Sequence, residues 1–196
     1  MSWFKRKEPL QGSRRSEVLR GLTDGLVEGQ LNTVSSGLDA GILTLAPNQT
    51  KARALAEWHA VLISGTLYGL WCSLRSQSKI SPFLELFRAE FLRQLDPECR
   101  TEFVKIANDR EDEYVPAIKN AIESPPSGDL LFDMLQLTSL MCRRITGDVD
   151  DAELIGANVF QAHFLESVLV TQLTSVKKLF DDIQLKYPET FSGPLS

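Results

Sequence analysis

The stretch from Trp58 to Leu74 constrains the fold of this chain more than any other. It reads WHAVLISGTLYGLWCSL and contains no Asp, Glu, Lys or Arg. A helix that is apolar on every side must be buried, either by protein or by lipid. A membrane span needs about 20 apolar residues, which is more than this run offers. We therefore predict a helix that is buried in the centre of a helical bundle.

Length and composition predict one helical domain. The chain has 196 residues, of which 43% are hydrophobic and 24% charged, and these values are typical of a globular protein with a single core. We predict an all-α fold, a single-domain helical bundle of about six or seven helices over residues 13–188. Two long central apolar helices, one from Asn48 and one from Asp150, form its centre. Residues 1–12 are predicted to be a flexible basic tail, and residues 189–196 a C-terminal tail.

Several residues predict where helices begin and end. Asn48 or Thr50 is a suitable N-cap for the central helix, because the side-chain oxygen accepts a hydrogen bond from a free backbone N–H. Ser81 followed by Pro82 predicts the start of the next helix, since proline is favoured at the first helical position. Gly147 predicts the end of a later helix.

Two further features predict the form of the helix that follows residue 97. The run DREDE from Asp109 to Glu113 is strongly charged, and it predicts a solvated face. Pro116 lacks a backbone N–H and its ring clashes with the preceding turn. It therefore predicts a kink or a restart of the helix.

Small residues recur at every fourth position in two regions, which places each set along one face of a helix. They are Gly65, Gly69 and Ser73 in the central helix, and Gly21, Gly25, Gly29, Gly37 and Gly41 near the N-terminus. A glycine inside a helix costs about 1 kcal/mol relative to alanine, so such a series indicates a packing reason. We predict that each set is a ridge at which two helices approach closely, and contact between the two ridges is one way to bury both.

Charge and cysteine content limit the partners and the compartment. The net charge is −5, but residues 1–20 hold six Lys or Arg against two Glu, so the rest of the chain is acidic and lacks the basic surface of a nucleic-acid-binding protein. Cys72, Cys99 and Cys142 are far apart and form no CxxC pair. This pattern is typical of reduced thiols, and we expect a cytoplasmic protein.

The sequence carries no GxSxG, HExxH or phosphate-binding GK[ST] motif, and we expect a protein that is not an enzyme. His59 and His163, with Glu166 three residues further on, are the candidate cofactor-binding residues. If their helices are neighbours, two imidazoles and a carboxylate meet, as in metal or haem sites. Against this, neither histidine follows a Glu by three residues, as di-iron bundles require. Histidines in hydrogen-bonded core positions are the alternative that we favour, with no cofactor.

These observations leave three hypotheses for function. The first is a non-catalytic protein–protein interaction module (an adaptor, a chaperone-like subunit or an oligomeric assembly component), which binds another protein or a second copy of itself. It follows from long apolar helices and few catalytic groups. The second is a bundle that binds an apolar ligand, haem or metal between its central helices. The third is a peripheral membrane protein, anchored by the aromatic and basic residues Trp3, Phe4, Lys5, Arg6 and Lys7. We favour a solvated tail over this anchor.

Overall fold

The computed structural model describes residues 17, 20–21, 24–25, 28–29, 32, 35–74, 77–123, 128–147 and 155–186. Over these residues the chain forms helices and no strand, so the predicted all-α single-domain bundle is confirmed. Helix α1 comprises the helical residues described between 17 and 39. The other helices are α2 (Lys51–Leu74), α3 (Gln77–Gln94), α4 (Pro97–Glu123), α5 (Leu130–Thr146) and α6 (Ile155–Lys186). The predicted tails at 1–12 and 189–196 lie outside the described residues.

Helix α2 is the centre of the bundle. It packs against α3, α4, α5 and α6. Its side chains are buried around the whole circumference from Ala56 to Thr66, and Leu70 in the last turns is buried as well. The prediction of a buried helix is therefore confirmed as far as Leu70, whereas Trp71 in the last turn is 44% exposed. None of the helices, searched over the described residues, is both long enough and apolar enough to cross a bilayer.

Helix α6 differs from α2 because, among the side chains described between residues 161 and 186, only one face is buried. The buried stripe follows the predicted helical spacing and consists of Leu165, Leu169, Leu173, Val176, Phe180 and Ile183. This stripe packs on α2 and α5, whereas Val170 and Leu185 lie on exposed parts of α6. Helix α6 is therefore an amphipathic helix at the side of α2, and it is not a second helix that is buried all round.

One helix begins at a threonine cap, and two helices end at a glycine with positive φ. Thr50 caps α2 as predicted, because its Oγ1 accepts a hydrogen bond from the Arg53 N–H at 3.1 Å. Helix α5 ends where predicted, at Gly147, which has a φ of +90°. Gly41, with a φ of +70°, ends α1, and the N–H of Ile42 bonds to the Gly37 carbonyl at 2.9 Å. Gly41 is thus a C-terminal cap and not part of a helical ridge.

Two predictions made from proline are wrong in part. Helix α3 begins at Gln77, four residues before Ser81, so Ser81 and Pro82 do not mark its start. Helix α4 continues through Pro116 without a restart. A proline inside a helix removes one hydrogen bond, but the buried side chains of Tyr114 and Ile118 hold α4 in the core on both sides of Pro116. Tertiary packing here outweighs the local preference.

The ridge of small residues on α2 faces α6. A Cβ atom added at Gly65 would lie 3.2 Å from Leu173 Cδ2, and one added at Gly69 would lie 2.9 Å from Val176 Cγ1. Ser73, at the next position of the ridge, is half-buried. The two helices therefore approach closely along this line, because side chains of α6 occupy the space that the glycines leave open.

The N-terminal glycines have other surroundings. A Cβ added at Gly37 would meet the Phe164 ring at 3.0 Å, which is a contact with α6. At Gly21, Gly25 and Gly29, no atom of the described residues lies within 4 Å of the position that a Cβ would take. Within the described part of the chain, the two glycine ridges are not in contact with each other.

We expect Gly69→Ala to lower the free energy of unfolding by about 1–2 kcal/mol. The new methyl group would overlap Val176, whose branched side chain is fully buried and cannot turn away, and overpacking of this kind costs about 1–3 kcal/mol. The better helix propensity of alanine offsets part of that loss, by at most about 1 kcal/mol. Urea denaturation of both proteins measures the difference.

Gly25→Ala is the matched control, because Gly25 is helical and has open space at its Cβ position. Its free energy of unfolding is expected to stay equal to that of the parent or to rise by up to about 1 kcal/mol. A Gly69→Ala variant as stable as the parent protein would show that the approach of α2 and α6 is looser than described.

Candidate functional site

An open apolar groove runs along α6 beside the C-terminal half of α2. It has a volume of about 790 Å³. We call it the α6 groove, and it is lined by Tyr68, Gly69 and Cys72 of α2, Ile122 of α4, Met134 of α5, and Glu166, Val170, Leu173, Thr174, Lys177, Lys178, Asp181 and Asp182 of α6. Because Gly69 carries no side chain, the backbone of α2 forms part of its wall.

The walls of the α6 groove expose apolar side chains to solvent. Val170 on α6 is 45% exposed, and Ile122 at the end of α4 is also exposed. Leu173 and Met134 are buried and belong to the core below them. The groove is therefore an apolar surface that is continuous with the core, whereas an isolated exposed Val or Ile would need no explanation.

The rim of the α6 groove carries both signs of charge. Lys177 and Asp181 form an ion pair on successive turns of α6, with Nζ and Oδ2 2.6 Å apart. The hydrogen bond from Lys177 holds the pKa of the Asp181 carboxyl below its ordinary value. Lys178 is exposed and Asp182 is exposed one turn further on. Ion pairs at a protein surface contribute little to stability. These charges are therefore of interest mainly as groups that can contact a molecule bound in the groove.

The last turns of α2 carry two aromatic side chains beside the α6 groove. The Tyr68 hydroxyl lies 3.4 Å from Glu123 Oε1, and burial, followed by the nearby Cys72 thiol, raises the pKa of Tyr68. Tyr68 also lines a second cleft, of about 390 Å³, together with the exposed Trp71 and Lys119. The last turns of α2 therefore present a tyrosine and a tryptophan between two clefts.

The two histidines lie in different environments. His59 is buried in α2, and its ring makes an edge contact with Phe91 of α3 at a centroid distance of 5.0 Å. Burial lowers the pKa of His59 to about 3, so its imidazole is neutral. His59 precedes Gly65 by six residues, which turns its side chain by about 120° away from the face of α2 that α6 covers. It therefore points toward α3 and not toward α6.

His163 is exposed on α6, and its Nδ1 lies 3.2 Å from Oε2 of Glu166. The structure thus brings together two of the three candidate cofactor-binding residues, His163 and Glu166, at one end of the α6 groove, and leaves His59 apart. Among the residues that the structure describes, no three His, Cys, Asp or Glu side chains form a group able to hold a metal ion.

A buried ion cluster connects α2 with α4. Glu57, with a side chain only 2% exposed, accepts hydrogen bonds at Oε2 from Arg110 Nε (2.6 Å) and at Oε1 from Arg110 Nη2 (3.0 Å). Arg53, one turn earlier in α2, donates to the same Oε1 at 2.9 Å. Arg110 also donates to Glu113, which in turn accepts from Arg144 of α5.

Sequence reasoning missed this cluster. The run from Asp109 to Glu113 was predicted to be a solvated face, but the Arg110 side chain is only 13% exposed and faces α2. Asp109 and Asp112 are exposed, so the prediction is right for those two residues and wrong for Arg110. A charged Glu57 between buried apolar residues was the available signal, because a carboxylate in a core needs a cationic partner.

The cysteine thiols are not arranged for nucleophilic chemistry. Burial raises the pKa of Cys99 to about 12 and also raises the pKa of Cys142. A thiol is a nucleophile only when it is deprotonated, so these two groups are unreactive at neutral pH. Cys72 is half-buried at the α6 groove, and no disulfide joins any of the three cysteines.

Comparison with protein-family models, with curated proteins and with solved structures finds no match to this chain. The candidate membrane-surface residues from Trp3 to Lys7 lie outside the described residues.

Proposed function

We propose that the protein is a non-catalytic interaction module that holds an amphipathic helix of a partner protein in the α6 groove. The observation that carries this proposal is the open groove of about 790 Å³, in which the exposed side chains of Val170 and Ile122 lie above the buried Leu173 and Met134. An exposed apolar groove between helices is a common binding site for the apolar face of a helix.

The length of the groove favours a helix as its occupant. Its lining extends along α6 from Glu166 to Asp182. At 1.5 Å per residue this distance is about 24 Å, which equals the length of a helix of about 16 residues. A partner helix of that length has room for apolar anchors at several positions spaced by three and four residues.

The charges at the rim favour a peptide over a ligand with one charge. Lys177 and Lys178 are followed one turn later by Asp181 and Asp182, so positive and negative groups alternate along α6. A helix with acidic residues opposite the lysines and basic residues opposite the aspartates complements this rim. Such complementarity orients a partner in the groove and excludes partners with the opposite order.

The aromatic residues of α2 support the same proposal. Tyr68 lines the groove and Trp71 is exposed beside it. Tyrosine and tryptophan are enriched among the residues that contribute most to protein–protein binding. The proposal includes a cytoplasmic location, because three cysteines without a disulfide suit a reducing compartment.

An apolar small molecule is the second candidate occupant, and the volume of the groove favours it. About 790 Å³ lies within the range of about 300–1,000 Å³ that is usual for small-molecule sites. Native mass spectrometry of the purified protein distinguishes the two occupants. A bound molecule of small, constant mass would support this second candidate against the first.

We expect Val170→Asp to weaken binding of an amphipathic helix at least tenfold. The substitution places a carboxylate on the exposed apolar wall, where the partner would have to bury it. A tenfold loss is about 1.4 kcal/mol. Fluorescence anisotropy measures the affinity, with a labelled synthetic helix of about 16 residues that has leucines spaced by three and four and mixed charges on its other face.

Val104→Asp is the matched control, because Val104 is 64% exposed on α4 and does not line the groove. The parent protein and Val104→Asp are expected to bind the peptide with equal affinity. If the parent protein shows no saturable binding, or if the two variants weaken it equally, the α6 groove is not a helix-binding site.

A further inference from the structure

A polar pocket lies at the other end of α2, where its nearest residue on this helix, Glu57, is about 16 Å along the helix from Tyr68 of the α6 groove. It has a volume of about 360 Å³. Its lining consists of Asn48, Gln49, Arg53, Glu57, Arg110, Leu140, Arg143, Arg144 and Gly147, which come from α2, α4, α5 and the segments next to them. Four guanidinium groups and one carboxylate therefore face this space. We call it the arginine pocket.

Two of the four guanidinium groups are held in fixed positions. Glu57 binds Arg110 through both carboxylate oxygens and Arg53 through Oε1. Arginine has five N–H donors, and the bonds of Arg110 to Glu57 and Glu113 use three of them, one on each nitrogen. Donors of a rigid group thus remain for a further acceptor, and binding does not require ordering a long side chain.

The remaining lining is fixed by close packing of the end of α5 on the start of α2. Gln49 Nε2 donates to the carbonyls of Arg144 at 3.0 Å and Ile145 at 2.9 Å. A Cβ at Gly147 would lie 3.0 Å from the Cβ of Ala46, so this glycine allows the two segments to meet. The backbone around the pocket is therefore fixed by tertiary packing, and Arg143 and Arg144 line the pocket from the exposed side of α5.

The charge of the pocket contrasts with that of the chain. The net charge of the protein is −5, yet arginines outnumber carboxylates in this lining. Guanidinium groups match the geometry of phosphate oxygens and can bind them through two parallel hydrogen bonds.

We propose that the arginine pocket binds the phosphate group of a phosphorylated small molecule. Arg143 and Arg144, at the solvent side of α5, contact the phosphate together with Arg53 and Arg110. The volume lies within the range of small-molecule sites, and it leaves room for a group attached to the phosphate. The site is independent of the proposed helix-binding groove, because it shares no lining residue with it.

Isothermal titration calorimetry of the full chain with inorganic phosphate and with pyrophosphate tests this proposal. We expect saturable binding that weakens as the salt concentration rises, since charges near a surface are screened. The double variant Arg143→Gln/Arg144→Gln is expected to bind at least tenfold more weakly. Both residues are exposed on α5, so this variant is expected to fold.

The matched control is Arg88→Gln/Arg93→Gln, which removes the same charge from α3, outside the pocket. It is expected to bind phosphate as the parent protein does, and Val170→Asp in the α6 groove is expected to have no effect either. Absence of saturable binding of both anions, or an equal loss in the two double variants, would overturn the proposal. Phosphate binding that survives loss of helix binding would separate this site from the proposed function.

Discussion

Glu57→Gln is expected to lower the free energy of unfolding by about 3–5 kcal/mol, the usual cost of removing one partner from a buried ion pair. Glutamine has nearly the shape of glutamate, so the loss reports charge and not packing. In the variant, the Arg110 guanidinium stays in a site with little access to water, loses the opposite charge, and keeps at most one of its two hydrogen bonds, because the glutamine nitrogen cannot accept one. Arg53, which is more exposed, turns toward solvent and Glu102 at a smaller cost.

Urea denaturation of Glu57→Gln and of Glu102→Gln tests this expectation. Glu102 also pairs with Arg53, but its side chain is 27% exposed, and surface pairs contribute at most about 1 kcal/mol. The double variant Glu57→Gln/Arg110→Gln is expected to recover part of the loss, because it leaves no buried charge without a partner. Equal effects of Glu57→Gln and Glu102→Gln would mean that water reaches the cluster.

Acidification from pH 6.5 to pH 5 is expected to lower the free energy of unfolding by about 2 kcal/mol through His59. Burial lowers the pKa of His59 to about 3 in the folded protein, whereas the unfolded chain has an ordinary value near 6.5. The unfolded chain therefore binds a proton that the folded protein excludes. The stabilisation from the neutral imidazole is complete above pH 6.5 and is lost as the pH falls toward about 3, at about 1.4 kcal/mol per pH unit.

Denaturation curves at several pH values between 7 and 5 measure this dependence. His59→Gln removes the titrating group, and the free energy of unfolding of this variant is expected to change little over the same range. His163→Gln is the control, because His163 is exposed and forms only a surface pair with Glu166. A parent protein without the expected slope, or a slope that survives His59→Gln, would contradict the burial of His59 beside Phe91.

The sequence was sufficient for the features that depend on local pattern. A run without charges predicted the burial of α2, because an apolar helix has few alternatives in water. Thr50 and Gly147 predicted helix ends, since a hydroxyl acceptor and a positive φ are local requirements. The stripe of α6 was visible as helical spacing from Leu165 to Ile183.

The features that depend on which helices meet could not be predicted in the same way. The ridge of Gly65 and Gly69 indicated a close approach, but its partner is the side chains of Leu173 and Val176 and not the N-terminal glycines. The charge pattern around Arg110 fits a solvated face equally well, and only the position of α4 on α2 brings this residue to Glu57. Spacing along one helix predicts which of its faces is buried, but it does not identify the helix that packs on that face.

The candidate sites also depend on which helices pack against each other. The α6 groove combines residues of four helices, and its apolar walls are indistinguishable in sequence from core positions. Both His59 and His163 lie on apolar helices, which made them a candidate pair of ligands. The position of His59 around the axis of α2, however, directs its side chain toward α3. The sequence therefore identifies individual histidines as candidate ligands, whereas the packing of the helices determines whether two of them share a site.

Photo-crosslinking from the α6 groove is the most direct measurement of the proposed function. The full chain, carrying benzoylphenylalanine in place of Val170 or of Val104, is irradiated in the cell that makes it, and mass spectrometry maps the products. We predict that position 170 attaches to one contiguous segment of one protein, at residues spaced by three or four, and that position 104 does not. The same products from both positions, or adducts of small-molecule mass alone at position 170, would contradict a helix-binding groove.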